Sequence, residues 1–334
     1  MFGGIVVNDK YRELLEQYDV KVLSTFRSRG TFQCETDQGL ALLKEYHSSL
    51  RKLAIEYEWK EKLAEAGFLL TDRYFISKED SLVVYDRYHT PFVLKHYFSG
   101  RECDLHSESD VYAACRNLAR LHKISAGISD IPFENPRTES IAVLFARRNQ
   151  ELRTIRRYVG RLNKKKSFEL LYMKYFHAFY EEAVHALDTL QQMDIQDDSP
   201  ACGVCHGAYH HHNILILPDG SVATVGFESI CYQPYLMDLY LFLRKTMEKN
   251  HYDRRLFERG IAGYSEYLPL DGSSLRFLYL LFLYPEKFWK ISNQYYNRRK
   301  SWISPKMLEK LEKIPEQNQE RKNFLQYFSR YLLK

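Results

Sequence analysis

Two cysteines and four histidines fall within twelve positions of the chain, in "CGVCHGAYHHHN" at residues 202–213. Side chains of these types offer three chemistries. Cys202-x-x-Cys205-His206 has the spacing that attaches a c-type haem through two thioethers. Thiolates at Cys202 and Cys205, with imidazoles between His206 and His212, are zinc ligand types. In the third arrangement, His206-Gly207-x-Tyr209-x-x-x-Asn213 is a loop that presents polar side chains to a reacting group.

The surroundings weigh against the first two. Haem attachment of that kind needs an exported chain. The N-terminal "MFGGIVVNDKYRELLEQYDV" shows no basic n-region and no small-residue cleavage site, so we expect a protein made and kept inside a cell. Zinc would want a second paired cluster, which the sequence lacks, and three adjacent histidines on a strand point alternately to opposite sides. Directly after the loop, "NILILPDGSVATVGF" reads as strand, Asp-Gly turn, strand. The other cysteines, Cys34, Cys103, Cys115 and Cys231, are scattered as free thiols would be.

The elements that must position this loop follow from pattern. "VKVLSTF", "TFQCET" and "LALLKEY" are β-prone runs separated by turn signals, and "SSLRKLAIEYEWKEKLAEAG" is helical up to a C-cap at Gly67. "DRYFIS" and "SLVVYDRY" read as two more strands around the turn "KED", and "FVLKHYFSG" closes this part. The first hundred residues thus read as strands with one helix. From Asp110 onward the period is mostly helical, in "DVYAACRNLARLHKI" and around 140–163, 167–193, 235–249, 253–267 and 274–296. The pattern predicts an α+β, two-lobed architecture: a small β-rich lobe over 1–97 and a larger helical lobe over 98–334, with the loop and hairpin of 205–228 set in it.

Composition narrows the function classes. The 334 residues suffice for one large domain or two lobes, and 45% hydrophobic with 27% charged residues is ordinary for a globular chain. No run of eighteen apolar residues occurs, so no membrane span is expected. The net charge of +5, from 48 basic against 43 acidic residues, is too small to imply nucleic acid. The densest basic run, "ARRNQELRTIRRYVGRLNKKK" at 146–166, reads as a solvated helix with arginines on several sides; a docking surface for an anionic partner is the alternative.

The loop and hairpin together resemble the catalytic loop of the protein-kinase-like fold, in its aminoglycoside phosphotransferase branch. There the motif reads H-G-D-x-x-x-x-N: the Asp orients and deprotonates the acceptor hydroxyl, the Asn binds Mg²⁺, and a further Asp after the hairpin holds the metal. Four segments, "FSGRECDL" at 98–105, "CHGAYHHHNILI" at 205–216, "PYLMDLYLFLRK" at 234–245 and "YPEKFWKISNQYYN" at 284–297, together resemble the spore-coat kinase-like family of the spore coat protein S type. The resemblance implies a two-lobed kinase-like fold with ATP and Mg²⁺ as cofactors. It also implies residence in the mother-cell cytoplasm and then the spore coat, with other spore coat proteins as partners.

The departures from the motif decide the expected activity. The base position is Ala208, without a proton acceptor, and the metal position is Gly226, without a ligand. His206 and Asp238 keep the catalytic-loop frame, Asp238 as a brace. Asn213 and Glu228 remain as metal ligands, a poor set for a cation that wants octahedral oxygen donors. The expectation is a catalytically inactive, kinase-shaped coat component with weak or absent ATP and Mg²⁺ binding. The alternative is a phosphotransferase of small hydroxylated acceptors, seen as an inactive or weakly active variant.

On the nucleotide side the resemblance implies a third-strand lysine paired to a helical glutamate. Lys44 has that strand position. Glu56 lies with Leu53, Trp59 and Leu63 on an apolar helix face, whereas Glu58 lies among charged residues, so Glu56 is the expected partner. The turn "FRSRGTFQ" has one glycine, Gly30, and its Arg27 and Arg29 read as solvated turn residues, with contact to phosphate as the alternative. The segment 96–102 is the expected linker beside the base. In the C-terminal block 277–302 the aromatics recur at helical spacing, as core or as a groove for a sugar or acceptor.

Overall fold

The computed structural model describes residues 9–28, 31–128, 140–192, 200–297 and 305–332. Five antiparallel strands form one sheet: β1 (Val22–Ser28), β2 (Thr31–Thr36), β3 (Gly39–Glu45), β4 (Val84–Tyr85) and β5 (Pro91–His96), in the order β1-β2-β3-β5-β4. The β3–β5 register sets Leu42 opposite Lys95 and Lys44 opposite Val93. Strand side chains alternate between faces, so Leu42, Lys44, Val93 and Lys95 share one face. Ala41, Leu43, Phe92 and Leu94 pack on the other with Phe32 and Cys34.

Two helices accompany the sheet rather than the expected one. The first, α1 (Asp9–Leu15), covers the far face with Leu14 and Leu15. The second, α2 (Leu50–Glu65), starts where the Ser49 hydroxyl accepts the Lys52 N–H, a side-chain N-cap. Its buried stripe is Leu53, Glu56, Trp59, Lys60 and Leu63. Trp59 is fully buried and meets Phe227 edge-on at 5.4 Å, tying α2 to the hairpin end. Loss of such a ring costs about 3–5 kcal/mol.

The strand expected at 72–77 is absent as a ladder. Burial there comes in adjacent pairs, Thr71 with Asp72 and Tyr74 with Phe75, which breaks the period of two. The segment instead runs beside β5 through single bonds, Phe75 N–H to Leu94 O and His96 N–H to Arg73 O. Of the expected strand 81–88 only β4 forms.

The remaining chain is helical: α3 (Glu108–Ala126), α4 (Ile141–Gly160), α5 (Ser167–Gln192), α6 (Leu236–Lys249), α7 (Arg254–Ser265), α8 (Gly272–Leu283), α9 (Glu286–Asn297), α10 (Pro305–Glu312) and α11 (Ile314–Tyr331). The single helix expected over 274–296 is two, because Tyr284, before Pro285, takes an extended ψ of 131°. Aromatics of this block build core: Tyr284 stacks on Phe145 at 4.2 Å and Phe288 on Phe179 at 4.6 Å. Its residues 298–302 lie outside the described residues, as do Arg29, Gly30 and the side chain of Arg27. Among the described residues no helix is long and apolar enough to cross a membrane.

Short strands carry the loop. β6 (Arg101–Glu102) joins the hairpin of β8 (Ile214–Ile216) and β9 (Val222–Thr224), and β7 (Cys202–Cys205) pairs with β10 (Cys231–Pro234). The Asp-Gly turn forms as expected, with Gly220 N–H bonded to Leu217 O. A small sheet lobe and a larger helical lobe, with a hairpin between them, make up the two-lobed kinase-like fold.

Candidate functional site

The segment 206–213 is held from beneath by one buried carboxylate. Asp238, at the start of α6, accepts the His206 N–H at 2.7 Å on Oδ2 and the Gly207 N–H at 2.9 Å on Oδ1. Gly207 has φ +74°, and a Cβ there would stand 2.1 Å from Ser229 O, so only glycine fits. His206 is fully buried. Its Nδ1 accepts the Ala208 N–H at 3.2 Å, which puts the ring proton on Nε2, bonded to Val225 O at 3.0 Å. Burial lowers its pKa, with Asp238 opposing. With both ring nitrogens engaged, His206 clamps the loop to the hairpin.

The three following histidines point to different partners. His212 Nδ1 meets Glu102 Oε2 at 2.7 Å, His211 Nε2 meets Lys249 Nζ at 3.1 Å, and His210 Nε2 faces the Asn213 amide at 3.4 Å. Cys202 is exposed and Cys205 buried. Among the described residues the one metal-like group is His122, Cys205 and Asp238, which excludes Cys202 and the histidine run. Its members are engaged already: His122 Nδ1 bonds the Tyr264 hydroxyl at 2.9 Å, and both Asp238 oxygens hold the loop.

Asn213 and Gly226 stand face to face. Asn213 Nδ2 donates to Ala208 O at 3.0 Å, tying the two ends of the loop together. Gly226 has φ +79°, and its Cβ position lies 2.7 Å from Asn213 Oδ1. The Gly226 N–H donates to Asp72 Oδ2 at 3.0 Å.

Behind this pair lies a cluster of three lysines and three carboxylates. Lys95 Nζ, fully buried, is 3.1 Å from Glu56 Oε1, 3.3 Å from Asp72 Oδ2 and 3.0 Å from Glu228 Oε1. Lys60 Nζ, also buried, is 2.8 Å from Glu56 Oε1 and 2.8 Å from Asp72 Oδ1. Lys44 bonds Glu228 Oε1 at 2.9 Å. Burial pushes the Glu56 and Glu228 carboxyls up, but the lysines outweigh it and hold both well below the usual range. Lys95 is held well above its ordinary value by Asp72 and Glu56 against its own burial.

Lys44 therefore pairs with Glu228, and Glu56 pairs with Lys60 and Lys95; the expected Lys44–Glu56 bond does not form. Sequence reasoning missed Lys60, Asp72 and Lys95. Two signals were present: Lys60 lies four residues after Glu56 on the same helix stripe, and Lys95 interrupts the apolar run "PFVLKH" of a central strand.

In front of the cluster a cleft of about 670 Å³ opens between the lobes. Leu40, Leu42 and Lys44 line one wall, Leu215 and Val225 the other, and residues 97–100 close one side. The donor set does not suit Mg²⁺: Gly226 offers no side-chain oxygen, and Glu228 Oε1 is shared by two ammonium groups.

Comparison with solved structures finds the same fold. An aminoglycoside phosphotransferase from Alicyclobacillus acidocaldarius subsp. acidocaldarius DSM 446 superposes with TM-score 0.81 at 17% identity, covering 99% of this chain and 98% of that one. Amicoumacin kinase hAmiN, in complex with AMP-PNP, Ca²⁺ and Ami, gives 0.61 at 15% identity over 94% and 92%. A choline kinase from Cryptosporidium parvum Iowa II gives 0.56 at 13% identity over 96% and 94%. Comparison with curated protein sequences finds no match. A family profile covers residues 11–328, and the chain belongs to that family, described as "Spore coat putative kinase YutH".

Proposed function

We propose that this chain is a non-catalytic, kinase-shaped component of the spore coat, made in the mother-cell cytoplasm and assembled with other coat proteins. The observation that carries the reading is the pair Ala208 and Gly226. The loop frame is built in full, with His206, Gly207, Asn213 and Asp238 bonded together, yet the two positions it would aim at a phosphoryl group have no functional side chain. General-base help is worth about 10²–10⁴ in rate. Charge neutralisation by metal is the larger lever in phosphoryl transfer, and here Glu228 is tied to Lys44 and Lys95.

In this reading residues 1–97 and 98–334 are the two lobes, and the cleft between them takes a nucleotide weakly and without metal. A phosphate entering it must displace Glu228 from the lysines. Calorimetric titration of ATP with and without Mg²⁺ tests this. The expected result is weak binding that Mg²⁺ does not improve. Enhancement by more than about tenfold, or 1.4 kcal/mol, would overturn it.

A further inference from the structure

The arginines of the basic run 146–166 do fall on several sides, Arg147 toward Glu151 and Arg148 toward Glu286, but three of them share one stripe. Arg153, Arg156 and Arg157 lie at positions i, i+3 and i+4 of α4, on one exposed stripe. Across from it α5 presents Met173, Phe176, His177 and Tyr180 at the same spacing. The two stripes enclose an open groove of about 730 Å³. Gly160 ends the arginine stripe, and a Cβ there would meet nothing within 4 Å, so the groove is open at that end.

Like charges at i, i+3 and i+4 of a helix repel one another, and none of the three arginines has a carboxylate partner among the described residues. Arg153 and Arg157 donate only to the neutral Gln150 and Thr154 side chains. The charge at the C-terminal turn of α4 accounts for Arg157, but the helix dipole fades before Arg153 and Arg156. Arg156 stands over the Phe176 ring at 4.8 Å, a stacking that leaves its N–H edge for an acceptor.

We propose that this groove docks an acidic segment of a protein partner, with carboxylates against the three arginines and an apolar side chain between Met173 and Tyr180. The apolar wall argues for a peptide over a nucleic acid. Phe176 is buried as the floor of the groove, so it offers no face for stacking a base. The proposal is independent of whether the cleft binds nucleotide.

The test uses the full chain and fluorescence anisotropy. The probes are a labelled helical peptide with a leucine stripe flanked by glutamates, its glutamine counterpart, a polythymidine oligonucleotide and inorganic tripolyphosphate. The comparison variant is Arg153→Gln/Arg156→Gln/Arg157→Gln; these side chains are exposed, so the fold should persist. The glutamate peptide should bind the unmodified protein at least about tenfold tighter than it binds the variant, and tighter than the glutamine peptide binds either. Added salt should weaken it. The melting temperature of the variant should be unchanged or higher, since mutual repulsion is removed. Equal binding to the variant, no binding of the glutamate peptide, or tighter binding of the oligonucleotide or tripolyphosphate would overturn the proposal. A lower melting temperature would show that the arginines serve the fold instead.

Discussion

Lys95 Nζ lies 3.1 Å from Glu56 Oε1, and both side chains are sealed from solvent. The glutamate that α2 turns inward is thus answered by a lysine of β5, while Lys44 of β3 reaches across the cleft to Glu228. The two lysines should differ sharply in energetic weight. Removing one partner of a buried ion pair strands the other charge and costs about 3–5 kcal/mol, whereas a partly exposed pair is worth about 0–1 kcal/mol. Urea unfolding should show Lys95→Met far less stable than Lys44→Met. Equal losses would mean that the cluster is solvated.

Glu228 neutralises Lys44 and Lys95 with a single oxygen. Glu228→Gln should leave Lys44 without its carboxylate and open it to an anion, while Lys95 stays paired with Glu56 and Asp72. Binding of ATP in the presence of EDTA should then tighten by about tenfold, read by calorimetry. Unchanged affinity in a folded variant would show that the carboxylate does not compete with phosphate.

His206 is buried as the neutral imidazole, with its pKa below the ordinary 6.5. Below pH 6.5 the unfolded chain binds a proton that the folded chain refuses, so stability falls as pH falls through this range. The depressed Glu56 and Glu228 add to the loss further down, once pH drops below the unfolded carboxylate value of about 4.3. The melting temperature should therefore decline from pH 7 to pH 5 and more steeply below pH 4.5. Burial lowers His96, His210 and His211 as well, so they add to the same slope, and a flat profile between pH 7 and 5 would contradict neutral imidazoles at all four positions.

Gly226 sits in the left-handed region with its Cβ position against Asn213 Oδ1. A side chain there costs roughly 1–2 kcal/mol in backbone strain, somewhat less for Asp than for most residues, and must also shift the Asn213 amide. Gly226→Asp alone should lower the melting temperature without restoring activity. A stabilised Gly226→Asp variant would show that the loop relaxes to receive a carboxylate.

The lobes and the loop were legible because they rest on local signals: strand runs with turn residues, helical period, and a histidine-glycine-asparagine spacing followed by an Asp-Gly hairpin. The inward turn of Glu56 was legible from the apolar neighbours on its helix face. Its partner was not, because the pairing of Lys95 with Glu56 joins residues 39 apart, through a sheet register that no local pattern encodes. Asp72 was hidden for a related reason. Its segment looked like a strand, but it runs as an irregular stretch whose carboxylate braces Gly226 from 154 residues away.

The most direct measurement is Mg²⁺-dependent ATP turnover by the unmodified protein, beside Ala208→Asp, Gly226→Asp and the double variant. No turnover above background is predicted for the unmodified chain and either single variant, because base and metal act as a unit whose losses are not additive. The double variant regains activity if Asn213 yields to the new carboxylate. Turnover by the unmodified protein at the usual kinase rate of roughly 1–100 s⁻¹ would contradict the non-catalytic account.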